Sequence, residues 1–113
     1  MKLGIIDEQH ERFFLKNIFE KYSNSGIEFD YADNLGVFIN QFRGKVYDGF
    51  LIHPARLQFR EFMKGFNGSF PGAKFAIGTF DRGSSIARAE GDDGICAFDF
   101  GDIYGIKKYF ERK

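Results

Sequence analysis

The sequence predicts one α/β domain over residues 1–113: a doubly wound, five-stranded parallel sheet of (βα)5 order with helices on both faces. Three observations lead there. Short apolar runs alternate with segments whose apolar residues recur at helical spacing. Several of those runs are apolar on both faces, as strands are when helices cover a parallel sheet on both sides. Right-handed crossovers between such strands distribute the helices over the two faces.

The elements follow in order. "KLGIID", Lys2 to Asp7, is a short apolar run that ends in acid. In "HERFFLKNIFEKYSNSG", Phe14, Ile18 and Tyr22 recur every four residues with Leu15 and Phe19 beside them, giving one apolar helical face. Asn24, Ser25 and Gly26 supply its stop. "IEFDYAD", Ile27 to Asp33, alternates and reads as a strand near a sheet edge. Asp33 is expected to cap a helix that holds Leu35, Phe38, Ile39 and Phe42 and ends at Gly44. Tyr47 to His53 is the third strand. A helix with Phe59, Phe62, Met63 and Phe66 on one face follows, closed by "NGSFPG". "AKFAIGTF", Ala73 to Phe80, is the fourth strand, and "DRGSSIARAEGDDG" allows only a short, weak helix. "ICAFDF", Ile95 to Phe100, is the fifth strand. Asp102 is expected to cap a last helix with Ile103, Ile106, Tyr109 and Phe110 facing inward.

Composition narrows the function classes. Sixteen Lys and Arg balance sixteen Asp and Glu, so no net field favours nucleic acid or an anionic membrane, and neither is expected as a partner. No apolar run has the length of a membrane span, and "MKLGIIDEQH" meets charge too early for a signal peptide, so a cytoplasmic protein is expected. The single cysteine, Cys96, excludes an internal disulfide and a multi-cysteine metal site, and reads as a small buried hydrophobe. Sixteen Phe stand against fourteen Gly and no Trp, and Gly4, Gly49 and Gly78 fall inside strand-like runs. Glycine weakens a strand unless something approaches closely, so Phe rings from the helices are expected to pack over these three positions.

Doubly wound sheets hold their functional crevice beyond the carboxyl ends of the strands. The residues at those ends are Asp7 and Glu8, His53, Thr79 and Phe98. His53 reads first as a histidine bonded to Asp7 or Glu8 at the rim of a solvent-reached crevice, where an imidazolium neutralises the acidic pair. Its chemistry also allows pH sensing or metal binding. Thr79 reads as a strand-end hydroxyl and His10 as a surface residue. Spaced glycines of a dinucleotide fingerprint do not follow the first strand, and "DEQHER" is not the phosphate loop of a flavodoxin. A cobalamin-type Asp-x-His signature fails because His10 lies three residues from Asp7. No nucleophile has a histidine base placed by the pattern, and no enzymatic activity is expected.

Over nearly its whole length the chain resembles the response-regulator receiver domain, a flavodoxin-like fold. "KLGIIDEQ" resembles that family's first strand with its acidic pair, which implies Asp7 and Glu8 as carboxylates for weak Mg2+ binding and no other cofactor. "YDGFLIH" resembles the third strand, whose last position is the phosphate-accepting aspartate; here it is His53. "FAIGT" resembles the fourth strand and places Thr79 at the hydroxyl that contacts the phosphoryl group. "EGDDGICAFDFGD" resembles the stretch that carries a lysine and a cis-proline, at Phe98 and Asp99 when laid without gaps, with Ile95 at the aromatic switch position. The acceptor, the lysine, the proline and the switch aromatic are absent. The resemblance thus implies a pseudo-receiver that acts by contact with a signalling protein, a kinase or an output protein, and is compatible with a homodimer. The family's usual partner face falls on Arg82, Ser85, Arg88, Lys107, Lys108 and Tyr109. A phosphorelay receiver with an unusual acceptor, and a small-molecule or metal binder using the same crevice, stay open as alternatives.

Overall fold

The computed structural model describes residues 1–8, 12–53, 59–79 and 96–111. Its elements are β1 (Lys2–Asp7), α1 (Arg12–Asn24), β2 (Glu28–Ala32), α2 (Leu35–Phe42), β3 (Gly49–His53), α3 (Phe59–Ser69), β4 (Phe75–Thr79), β5 (Ala97–Asp99) and α4 (Ile103–Glu111). The five strands form one all-parallel sheet in the order β2-β1-β3-β4-β5. Every strand lies within a run that the sequence predicts, and β2 does lie at an edge. The weak helix predicted between the fourth and fifth strands, with His10 and Ile95, falls outside the described residues.

The double winding is visible in which side chains meet. On one face Leu3, Ile5, Leu51 and Ala76 of the sheet pack with Ile18 and Tyr22 of α1 and with Ile106 and Phe110 of α4. On the other, Ile6, Phe50 and Ile52 pack with Phe38 of α2 and with Phe62 and Phe66 of α3. Each central strand therefore buries both of its faces, and for that reason β1 and β3 read as continuous apolar runs. No helix among the described residues is long and apolar enough to cross a membrane.

Helix ends follow local chemistry, with one correction. Asn34, not Asp33, caps α2: its Oδ1 accepts from the Val37 amide at 2.8 Å. Asn34 immediately precedes the first helical residue, within reach of the free amides of the first turn; Asp33 is one residue too early and bonds elsewhere. Asp102 does cap α4, accepting from the Gly105 amide at 3.1 Å. Gly26 and Gly44 close α1 and α2 in the left-handed region, with φ of 78° and 84°.

The strand glycines carry aromatic rings directly on the sheet. A Cβ added at Gly4 would lie 2.6 Å from Phe50 and 2.7 Å from Phe38. One at Gly49 would lie 2.1 Å from Phe110, and one at Gly78 would lie 2.4 Å from Phe100. Phe38 and Phe110 come from helices, as expected. Phe50 belongs to β3 and Phe100 to the turn after β5, so the missing Cβ atoms also admit rings from within the sheet layer.

Gly49→Ala is expected to lower the unfolding free energy by about 1 to 3 kcal/mol in urea, because Phe110 must move off the sheet. Gly68→Ala, where nothing lies within 4 Å of the new methyl group, is expected to be neutral or slightly stabilising. Equal stability of the two variants would contradict the close-packing assignment.

Candidate functional site

In this strand order the connection from β1 leads by α1 to one side, and that from β3 leads by α3 to the other. α1 and α3 also lie on opposite faces. The carboxyl ends of β1 and β3 thus flank the switch point of the sheet, and the two residues in register there are Asp7 and His53.

They face one another. His53 Nδ1 lies 3.3 Å from Asp7 Oδ1. The Tyr31 hydroxyl donates to Asp7 Oδ2 at 2.8 Å and also lies 3.1 Å from Asp33 Oδ1. Register explains the grouping: Ile5 pairs with Tyr31 and with Leu51. Two residues on, Asp7 and His53 therefore project from the same face as Tyr31. Asp7 is 1% exposed and His53 is 7% exposed, so the histidine is a buried residue and not the rim group that the sequence suggested. A carboxylate at this depth is costly unless hydrogen-bonded and paired. Here a hydroxyl engages one oxygen and an imidazole faces the other. Burial first, and then the Asp7 carboxylate, push ionisation of the Tyr31 hydroxyl far above the ordinary tyrosine range. It is a neutral donor at any ordinary pH.

Phe100 closes the other side of His53, with ring centroids 5.8 Å apart at 70°. Its amide donates to the Thr79 carbonyl at 2.9 Å. Its carbonyl accepts from the Tyr22 hydroxyl at 2.7 Å, which ties α1 to the turn after β5. Burial raises Tyr22 above its usual range as well, so this donor also persists.

The other residues named from the sequence are placed as follows. The Glu8 amide donates to the His53 carbonyl at 2.9 Å, and Glu8 borders a cleft between α2 and α3. Thr79 is buried. Leu51 pairs with Ala76, which aligns His53 with Gly78, and Thr79 falls on the opposite face of β4. Phe98, paired with Gly78, packs its ring 5.4 Å from that of Tyr109. Tyr109 donates to the Phe75 carbonyl at 2.9 Å, and Lys74 donates to the Tyr109 carbonyl while lying 4.5 Å from the centre of its ring. Lys107 donates to the Ser25 carbonyl at 2.8 Å. Tyr109 and Lys107 are thus braces of the fold, whereas Lys108 and Tyr104 are exposed beside one another. Arg82, Ser85 and Arg88 lie outside the described residues. Cys96 is exposed, contrary to the sequence reading, because it precedes the edge strand β5 instead of lying within it.

Tyr31, Asp33, Tyr22 and Phe100 were not singled out by sequence. Tyr31 needs the β1–β2 register, and Phe100 lies past the end of its strand, where period-two reasoning stops.

No protein-family model matches the chain, and no curated protein matches it. Function is therefore read from the fold and the geometry. The donor set fits Mg2+ poorly: that ion keeps several waters and an octahedral oxygen shell, whereas Asp7 is buried, with a hydroxyl on one oxygen and an imidazole against the other.

Tyr31→Phe is expected to cost about 1.5 to 3 kcal/mol, the value of a hydrogen bond to a charged group. A phenol that stays neutral when folded but ionises near 10 when unfolded gives stabilisation that is complete below about pH 10 and is lost as pH rises above it. Unfolding measured from pH 8 to 11 is therefore expected to fall less steeply in the variant than in the wild type. Identical slopes would place the Tyr31 proton outside this network.

Proposed function

We propose that the chain is a pseudo-receiver, a receiver-like module that works by protein–protein contact in two-component-type signalling in the cytoplasm and is not phosphorylated on aspartate. One observation carries this reading: His53 stands at the carboxyl end of β3, in register with Asp7 and 3.3 Å from its carboxylate. In the receiver resemblance that position belongs to the phosphate-accepting aspartate. Phosphoryl transfer to a receiver needs a carboxylate nucleophile and a divalent cation to neutralise the phosphoryl oxygens. An imidazole cannot be that nucleophile's carboxylate, and its position against Asp7 takes the room of the cation. Phe100 adds a ring where a charged readout group would have to approach.

On this reading the partner is a signalling protein, a kinase or an output protein. Of the face that the resemblance implies, Lys108 is the described residue best suited to outside contact, with Tyr104 beside it at 76% exposure. A contact-disrupting variant is better made at Tyr104 and Lys108 than at Lys107 and Tyr109, whose side chains hold the fold together.

Amide NMR spectra of the wild type with Mg2+ and beryllofluoride are expected to overlay those without, since beryllofluoride needs an aspartyl oxygen and a bound cation. Coordinated shifts at Asp7, His53 and Thr79 would overturn the pseudo-receiver reading. His53→Asp puts two carboxylates face to face in a buried site and is expected to cost about 3 to 5 kcal/mol. Millimolar Mg2+ is expected to restore part of that loss in the variant and to leave the melting temperature of the wild type unchanged. Equal Mg2+ responses in the two proteins would show that His53 does not exclude the cation.

A further inference from the structure

Resting on the reading of the chain as an interaction module, we infer that the cleft between α2 and α3 is a docking site for a basic side chain, lysine or arginine, flanked by apolar residues on a partner protein. The cleft has a volume of about 290 Å³ and is lined by Glu8, Asn34, Leu35, Gly36, Glu61, Phe62 and Gly65. Leu35, Phe62 and Gly65 form an apolar floor, where α2 and α3 approach so closely that a Cβ at Gly65 would lie 3.3 Å from Leu35 Cδ2. Glu8, at the end of β1, and Glu61, in the first turn of α3, supply carboxylates from two separate elements. Among the described lining residues there is no lysine, arginine or histidine.

Charge and shape select the occupant. Two carboxylates over an apolar floor complement a cationic head on an aliphatic stem, the form of Lys and Arg, whose stems lie on apolar surface while the head stays near water. An arginine fork also suits carboxylates geometrically. The cleft is open and small for an enclosed ligand, since small-molecule sites bury most of their ligand. A side chain carried by a partner needs no enclosure, because the surrounding interface supplies the rest of the contact. The site is held in place by the sheet: the Glu8 amide bonds to the His53 carbonyl at 2.9 Å, and the Phe62 ring is buried against Phe66.

The test uses defined probes and the full chain. Acetyl-Leu-Arg-Leu-amide is titrated into labelled protein, with acetyl-Leu-citrulline-Leu-amide as the neutral isostere. The arginine peptide is expected to shift the amides of Glu8, Gly36, Glu61 and Gly65, and the citrulline peptide is not. The exposed Glu61→Gln variant, combined with Glu8→Gln, is expected to weaken arginine-peptide binding about fivefold, the sum of two solvent-exposed ion pairs. No shifts at millimolar peptide, equal shifts with citrulline, or shifts confined to other surfaces would overturn the docking assignment. These outcomes are separate from the beryllofluoride result: the phosphoryl site is read at Asp7, His53 and Thr79, and the cleft at α2 and α3.

Discussion

Much of this fold depends on three places where the sheet has no Cβ. Gly4, Gly49 and Gly78 let Phe38, Phe50, Phe110 and Phe100 lie against the backbone of β1, β3 and β4. A sheet lacking Trp and short of branched aliphatics gains its buried volume this way, with rings seated lower than an alanine would allow. The consequence reaches the site. Phe100 is held over Gly78, and only from there does its ring meet His53 while its carbonyl meets Tyr22. A methyl group at Gly78 would lift the ring and loosen the α1 contact together with the wall of the crevice.

The second constraint is electrostatic. Asp7 is buried at the switch point, where a doubly wound sheet ordinarily keeps an open crevice. A buried carboxylate is tolerable when its oxygens are satisfied. The strand register does this without any loop: β2 delivers Tyr31 to one oxygen and β3 delivers His53 to the other. Removing either partner is therefore costly, yet this says nothing of net gain relative to an apolar core. Conformational specificity is one reason for such a group to stand there. In this chain its effect is to lock the ends of three adjacent strands.

The fold was legible because its strands are short apolar runs between amphipathic helices, and β1 runs from Lys2 to Asp7 as the sequence predicts. His53 and Asp7 could be placed near one another by strand-end logic alone. Their burial could not, because it depends on Phe100 and Tyr22, which lie 78 residues apart in sequence and give no shared local signal. Asp33 and Asn34 differ by one position as caps, and both are good cap types, so sequence could not choose between them. Cys96 was misread because exposure at an edge strand depends on where pairing stops, and the ladder begins only at Ala97.

Adjacent residues of a strand point to opposite faces, and that alternation divides the acidic pair. Asp7 turns toward α1 and α4, where Tyr31 and His53 engage it; Glu8 turns toward α2 and α3 and borders their cleft. In a receiver the two acids act together on one cation. Here the first is committed to a buried lock, and the second contributes charge to a surface cleft. The bond from the Glu8 amide to the His53 carbonyl joins the two. Loss of the imidazole would thus disturb the wall of the cleft as well as the lock. A cation-neutral crevice on one face and an anionic cleft on the other is an arrangement suited to recognising a protein and not to moving a phosphoryl group.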